Sequence, residues 1–258
     1  MKKKVVAVIP ARMAASRFPG KPLAKILDLP LIEHVRRRAE LCPSLEGVYV
    51  ATCDEAIFDV VKSFGGKPIM TKDTHQRCTD RVEEAAGHIK GADIIVILQG
   101  DEPLFDGAIV EDLVKPLLND PRAVCSNVLT PITAAKDLED PDIIKALTDI
   151  HGRVLYFSRA PVPYPRVKAP APVYRQTGLS AFTVDFLKKF SALAPTPLEI
   201  VESVDFMRIL EHRFAIEAVV VPVVSVGVDR PDDVGIVESI LRKDTKQKDI
   251  YQRIVAVS

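Results

Sequence analysis

Val5-Val6-Ala7-Val8-Ile9-Pro10-Ala11-Arg12-Met13-Ala14-Ala15-Ser16-Arg17-Phe18-Pro19-Gly20-Lys21-Pro22-Leu23 is the segment whose reading decides the fold. Its first five residues form a short run rich in β-branched side chains, as expected for a strand buried on both faces of a parallel sheet. The chain then enters a loop carrying Arg12, Arg17 and Lys21. In an open α/β sheet, ligands bind beyond the carboxyl ends of the strands, so this loop is placed to meet a nucleotide. Its three cations suit phosphate oxygens, and Ser16 with the backbone N–H groups adds further donors. The order of a Walker A loop is absent, because Gly20 alone precedes the lysine. Taken by itself, the loop reads either as a phosphate cradle of another kind or as a solvated basic surface.

Outward from this segment, β-like and α-like stretches alternate, the pattern of βαβ units on a parallel sheet. Leu31, Ile32, Val35, Ala39 and Leu41 recur with helical spacing after Pro30, and Val48 to Ala51 reads as a second strand. Ile57, Val60, Val61 and Phe64 mark the next helix, which Gly65-Gly66 ends. Pro68 to Met70 follows as a third short strand. Thr79 is expected to cap a helix through Val82, Ala85, Ala86 and Ile89. Ile94 to Leu98 is the central strand, and Ile109, Leu113 and Leu117 belong to a further helix. The alternation then yields to a proline-dense stretch, Pro161 to Pro172, which excludes central sheet and helix interior because proline lacks a backbone donor. Beyond it, Val184 to Leu193 and Leu198 to Glu211 read as helices, Ile216 to Val224 as a returning strand, and Pro231 to Leu241 as a closing helix. The tail from Lys243 to Ser258 is expected to dock on the core or on a second subunit.

The composition narrows the function classes. Lysine and arginine number 35 and so do aspartate and glutamate, so no global field recruits nucleic acid. No apolar run approaches the roughly 20 residues that span a bilayer. The apolar stretch behind Lys2-Lys3-Lys4 is too short for a signal peptide, and a soluble, cytoplasmic protein is expected. Cys42, Cys53, Cys78 and Cys125 form no C-x-x-C pair and read as free thiols. The five histidines are scattered, and none forms a recognisable catalytic pair.

Two further constellations carry chemistry. Leu98-Gln99-Gly100-Asp101-Glu102-Pro103 ends the central strand. Gly100 permits close backbone approach, and Asp101 supplies a hard oxygen of the kind magnesium prefers; a simple strand-ending turn would use the same residues. In Val226-Gly227-Val228-Asp229-Arg230-Pro231-Asp232-Asp233, Asp229 again follows an apolar strand. It is read as a second metal ligand, with Asp232 and Asp233 serving the following helix N-terminus.

Four ordered motifs give the chain a resemblance. They are P-A-R-x-x-x-S-R-x-P-G-K-P-L at Pro10 to Leu23, Q-G-D-E-P at Gln99 to Pro103, L-Y-F-S-R-A at Leu155 to Ala160, and G-V-D-x-P-x-D at Gly227 to Asp233. Over about Val5 to Leu241 the chain resembles the 3-deoxy-manno-octulosonate (Kdo) cytidylyltransferase family, whose members are also called CMP-Kdo synthetases. The resemblance implies an α/β, Rossmann-like nucleotidyltransferase with a mostly parallel mixed sheet. It implies one domain over 1–258, with an inserted acceptor and dimer lobe at about 140–210 and a tail at about 243–258. It implies transfer of CMP from CTP to an acidic sugar with magnesium, as in lipopolysaccharide biosynthesis, by a homodimer. The resemblance puts the phosphates near Arg12 and Lys21, the cytosine near Ala11 and Gln99, and the metal on Asp101 and Asp229; Ser16 and Arg17 join the phosphate donors from the loop's own chemistry, and Arg77 is placed beside the nucleotide by its position in the base-binding segment. The acceptor falls to Arg159, Gln176, Glu202 and Asp205. Arg12, Lys21, Asp101 and Asp229 are the residues expected to carry the reaction.

The chain departs from the family pattern in three places. His75-Gln76-Arg77-Cys78-Thr79-Asp80-Arg81 stands where the family has His-Gln-Ser-Gly-Thr-Glu-Arg, Gln176 replaces a histidine, and Asp205-Phe206 replaces Glu-Gln. Phe206 either removes a hydrogen-bonding partner from the acceptor or faces the core with Val204, Met207 and Leu210. The first alternative makes an amino-modified octulosonate, a sialic-like sugar or a phosphonate the acceptor. A nucleotide-binding regulator without turnover is the alternative from another class.

Overall fold

The computed structural model describes residues 2–14, 17–167, 172–222 and 226–256 of the chain. The chain forms two compact units, one made of Met1–Glu111 with Ser225–Ser258 and the other of Asp112–Val224. The segment 140–210, set apart in the sequence, lies within the second.

In the first unit, strands run parallel in the spatial order Lys67–Met70, Gly47–Thr52, Val5–Ala11 and Ile94–Ile97. The helices Leu31–Glu40, Glu55–Ser63 and Cys78–Gly87 connect them in βαβ order. Val6 through Ile9 and Ile94 through Val96 are wholly buried, which explains why both runs are continuously apolar rather than alternating. Thr79 does not cap its helix: Arg77 is the boundary residue, and Thr79 is buried within the first turn.

The helix Leu31–Glu40 is buried on more than its apolar stripe. Glu33 is wholly buried and its carboxylate accepts from Arg36 at 2.6 and 2.8 Å and from Arg37 at 3.2 Å. The cover comes from the tail, which is the helix Thr245–Val255. Arg37 donates to the Ile254 carbonyl at 2.7 Å, and the Tyr251 ring stacks on His34 with centroids 5.6 Å apart. Tyr251 also donates to Asp28 at 2.7 Å. The tail therefore docks on the core of its own chain, the first of the two placements expected for it. Burial, more than the adjacent Arg38 and Arg37, pulls the His34 imidazole down to about 4, so the ring is neutral at pH 7 and donates from Nε2 to the Ile26 carbonyl at 2.8 Å.

The second unit has a mixed sheet. Cys125–Pro131 pairs antiparallel with Tyr174–Thr183 and parallel with Glu217–Val220; Lys145–Thr148 joins Tyr174–Thr183 to Val154–Ser158, both antiparallel. The segment expected as one helix over Leu198 to Glu211 is two, Pro197–Glu202 and Phe206–Glu211, because Ser203 adopts φ 53° between them. The turn is held by a buried ion pair in which Arg208 grips Glu199 through Nε at 2.7 Å and Nη2 at 2.5 Å. The described strands give the α/β class read from the sequence, with a mixed sheet whose pairings named in the first unit are all parallel and in the second run in both senses. No helix among the described residues is long and apolar enough to cross a membrane.

Candidate active site

Val5–Ala11 and Ile94–Ile97 lie side by side and parallel, so both emit their loops at the same edge. The two chains approach closely there: a Cβ added at Gly100 would lie 3.1 Å from the Pro10 carbonyl oxygen, a contact only glycine avoids without a shift. A third segment arrives through one hydrogen bond, from the Val228 N–H to the Asp101 carbonyl at 2.9 Å; the strand expected before Asp229 is not formed over residues 226–229, which are irregular backbone. That bond sets Gly227-Val228-Asp229 beside Gly100-Asp101. The Asp233 carboxylate fixes the next turn by accepting from the backbone N–H groups of Asp229 at 2.8 Å and Arg230 at 2.7 Å. Asp233 thus serves the N-terminus of the helix Pro231–Lys243, as expected from the sequence, and orients Asp229 in the same stroke.

Lys21 closes the group. Gly20, at φ 74°, turns the chain into the short helical turn Lys21–Leu23, and the Lys21 ammonium reaches Asp101 at 2.8 Å and Asp229 at 3.5 Å. Two carboxylates of like charge are thereby held around one cation, with Asp229 still about two-thirds exposed. Glu102, next in the chain, adds little charge. Its enclosed position first, and the charge of Asp101 second, push its carboxyl up to about 8.

Around this cluster is a cleft of about 520 Å³ lined by Arg12, Arg17, Lys21, Gln99, Asp101 and Asp229. A smaller cavity of about 140 Å³ shares Ala11, Arg12 and Gln99 with it and continues to His75, Gln76, Arg77, Cys78 and Arg81. The structure therefore brings together Ala11, Arg12, Arg17, Lys21, Arg77, Gln99, Asp101 and Asp229. Ser16 lies outside the described residues. His75, Gln76 and Arg81 were not singled out as site residues, although they flank Arg77 in a segment whose departure from the family pattern had marked it. Arg81 donates to Thr71 at 2.6 Å and to the Lys72 carbonyl at 3.2 Å, and His75 pairs with Glu84, so both stiffen the wall that carries Arg77.

The residues expected at the acceptor all fall in the second unit. Glu202 accepts from Ser158 at 3.0 Å and from the Arg159 N–H at 2.8 Å, and its carbonyl takes the Arg159 Nε at 2.7 Å. A second Arg159 nitrogen donates to the Pro141 carbonyl at 2.8 Å. Gln176 is half-buried on Tyr174–Thr183 at the start of an irregularity in its pairing, and Asp205 opens the helix Phe206–Glu211. Phe206 does not belong with them. It is 6% exposed and packs edge-on against Phe157, Phe182 and Phe190, with centroids 6.1, 5.7 and 6.5 Å away. The reading in which it reshapes an acceptor contact is corrected to the core reading: it fills an aromatic cluster.

The cytidylyltransferase family model matches residues 6–216. The 3-deoxy-manno-octulosonate cytidylyltransferase of Syntrophotalea carbinolica is 43% identical over 247 residues, covering 92% of this chain and 98% of its own. The chain belongs to the 3-deoxy-manno-octulosonate cytidylyltransferase family. Its relative of that name from Acaryochloris marina is 39% identical, covering 89% of this chain and 94% of its own. A solved CMP:2-keto-3-deoxy-manno-octonic acid synthetase complexed with CTP is 36% identical and superposes with a TM-score of 0.89, covering 94% of this chain and all of that one. The protein is a CTP-dependent nucleotidyltransferase, and a different acid as acceptor is not favoured by these relatives.

Proposed function

We propose that the Lys21–Asp101–Asp229 cluster and the cleft around it are where this cytidylyltransferase transfers CMP from CTP to the anomeric hydroxyl of Kdo and releases pyrophosphate. The observation that carries the assignment is the junction of two strand-end loops with the Gly227–Asp229 segment, where two carboxylates and a lysine face a cleft rimmed by arginines.

The acceptor, a sugar acid, and the polyphosphate are both anionic, so the task is to bring like charges together and neutralise what develops in flight, with little covalent work for the protein. Arg12, Arg17 and Lys21 hold the phosphates. Lys21, which bridges the two carboxylates, is also placed to meet the triphosphate. Ala11, Gln99 and Arg77 border the smaller cavity and receive the nucleoside. Asp101 and Asp229 fit magnesium, because hard carboxylate oxygens in a pair, leaving room for phosphate and water, are the donor set that ion takes. When bound, magnesium supplies charge neutralisation to the polyphosphate.

The inserted lobe of this single nucleotidyltransferase domain supplies the acceptor side. Arg159, Gln176, Glu202 and Asp205 are its polar contacts, with Glu202 holding the backbone of Arg159 in place. Exposed Leu155, Ile200 and Val201, at 60, 65 and 81%, support a homodimer through the same lobe. Four free cysteines support a reducing cytoplasm.

The test is pyrophosphate release from CTP, magnesium and Kdo by the wild type and by Asp101→Ala and Asp229→Ala. Both variants are expected to stay folded and to lose about a thousandfold or more in kcat, the scale of removing an electrostatic stabiliser. Folded variants with wild-type rates would refute the assignment.

A further inference from the structure

Asp54 stands at the N-terminal boundary of the helix Glu55–Ser63, where an aspartate ordinarily accepts from first-turn N–H groups. Its side chain makes no such cap. Oδ2 instead accepts from the Met13 backbone N–H at 2.8 Å, across 41 residues of sequence, and from the Cys53 thiol at 3.7 Å. The Met13 peptide is held on its other side as well, since its carbonyl accepts from the Gly20 N–H at 3.1 Å. Met13 follows Arg12, and Gly20 precedes Lys21, so this doubly held residue adjoins one cation and is tied to the neighbour of the other. The anchor is itself stiff. The Asp54 N–H donates to the Thr52 hydroxyl at 3.1 Å, and Thr52 is a wholly buried residue at the end of its strand.

A carboxylate is the wrong charge beside a loop that receives a triphosphate, because it repels the ligand. What it offers that the helix cap alone does not require is a well-placed acceptor for Met13. An amide would keep that acceptor and shed the charge.

We propose that Asp54 is a positioning residue for CTP: its hydrogen bond to Met13 sets the placement of Arg12 and Lys21. The proposal rests on the reading of this loop as the phosphate site.

The experiment measures pyrophosphate release at varied CTP and saturating Kdo, together with Tm, for the wild type, Asp54→Ala, Asp54→Asn, Asp54→Glu and Lys21→Ala. Asp54→Ala is expected to raise KM for CTP about tenfold with a smaller change in kcat, the scale of one lost hydrogen bond to a charged acceptor. Asp54→Asn is expected to return KM to within about twofold of the wild type, because the amide oxygen still accepts. Asp54→Glu, which keeps the charge and displaces the acceptor, should behave like Asp54→Ala. A wild-type KM with only a lowered Tm in Asp54→Ala would overturn the proposal, and so would an Asp54→Asn as impaired as the alanine variant. Should the alanine variant fail to fold, the contrast between Asp54→Asn and Asp54→Glu decides in the same way. Lys21→Ala separates the two layers of the argument: normal turnover there overturns the phosphate-site reading itself, whereas impaired Lys21→Ala with a silent Asp54→Ala overturns positioning alone.

Discussion

The candidate site residues of the two units stand in opposite circumstances. In the first, Arg12 and Arg17 are exposed at the rim of a cleft, and Lys21 is shared between two carboxylates that face the same space. In the second, Arg159 and Glu202 spend their hydrogen bonds on each other and on backbone carbonyls. The first arrangement faces its charges to the open space of a cleft. The second is a closed set of hydrogen bonds within the chain. A triphosphate needs many mobile charges neutralised, whereas a sugar needs a few groups held still.

The aromatic cluster gives the largest way to break this contrast. Phe206→Gln removes a buried ring from contact with three others and places an amide among them, and is expected to cost about 3–5 kcal/mol of stability. Thermal or denaturant unfolding measures it, with KM for Kdo unchanged at temperatures where the variant is folded. A stable variant with altered KM for Kdo would return Phe206 to the acceptor site and erase the distinction drawn between core and contact.

A smaller effect sharpens the other side. Arg12 borders both cavities, and replacing its planar fork with a point charge is expected to lower kcat/KM for CTP about tenfold in Arg12→Lys. Equal activity would mean that charge alone is read at the rim.

How far these features were legible in the sequence follows the same division. The parallel sheet of the first unit announced itself because strands buried on both faces read as continuous apolar runs, Val5 to Ile9 and Ile94 to Leu98 being the plainest. Asp101 was visible because it follows such a run, whereas Asp229 follows a stretch that is apolar in sequence but forms no strand over residues 226–229. The strand Cys125–Pro131 was not, since its Ser126, Asn127 and Thr130 are buried polar residues that break the apolar pattern. Ser126 donates to the Leu113 carbonyl at 2.6 Å and Asn127 to the Thr177 and Leu179 carbonyls at 3.0 and 2.8 Å, partnerships that only the folded chain creates. The docking of the tail was read from its apolar ending, but its helix Thr245–Val255 and its contacts with His34 and Arg37 were not, because these are tertiary arrangements. The role of Asp54 was equally hidden, because an aspartate before a helix already has an ordinary explanation.

The central claim is that Asp101 and Asp229, not the surrounding cations alone, receive the metal-bound triphosphate. Isothermal titration of CTP with and without magnesium, in the wild type and in the double variant Asp101→Asn, Asp229→Asn, tests it most directly. Magnesium is expected to strengthen CTP binding to the wild type by about tenfold or more and to leave the double variant's affinity unchanged. An equal gain from magnesium in both proteins would contradict the account.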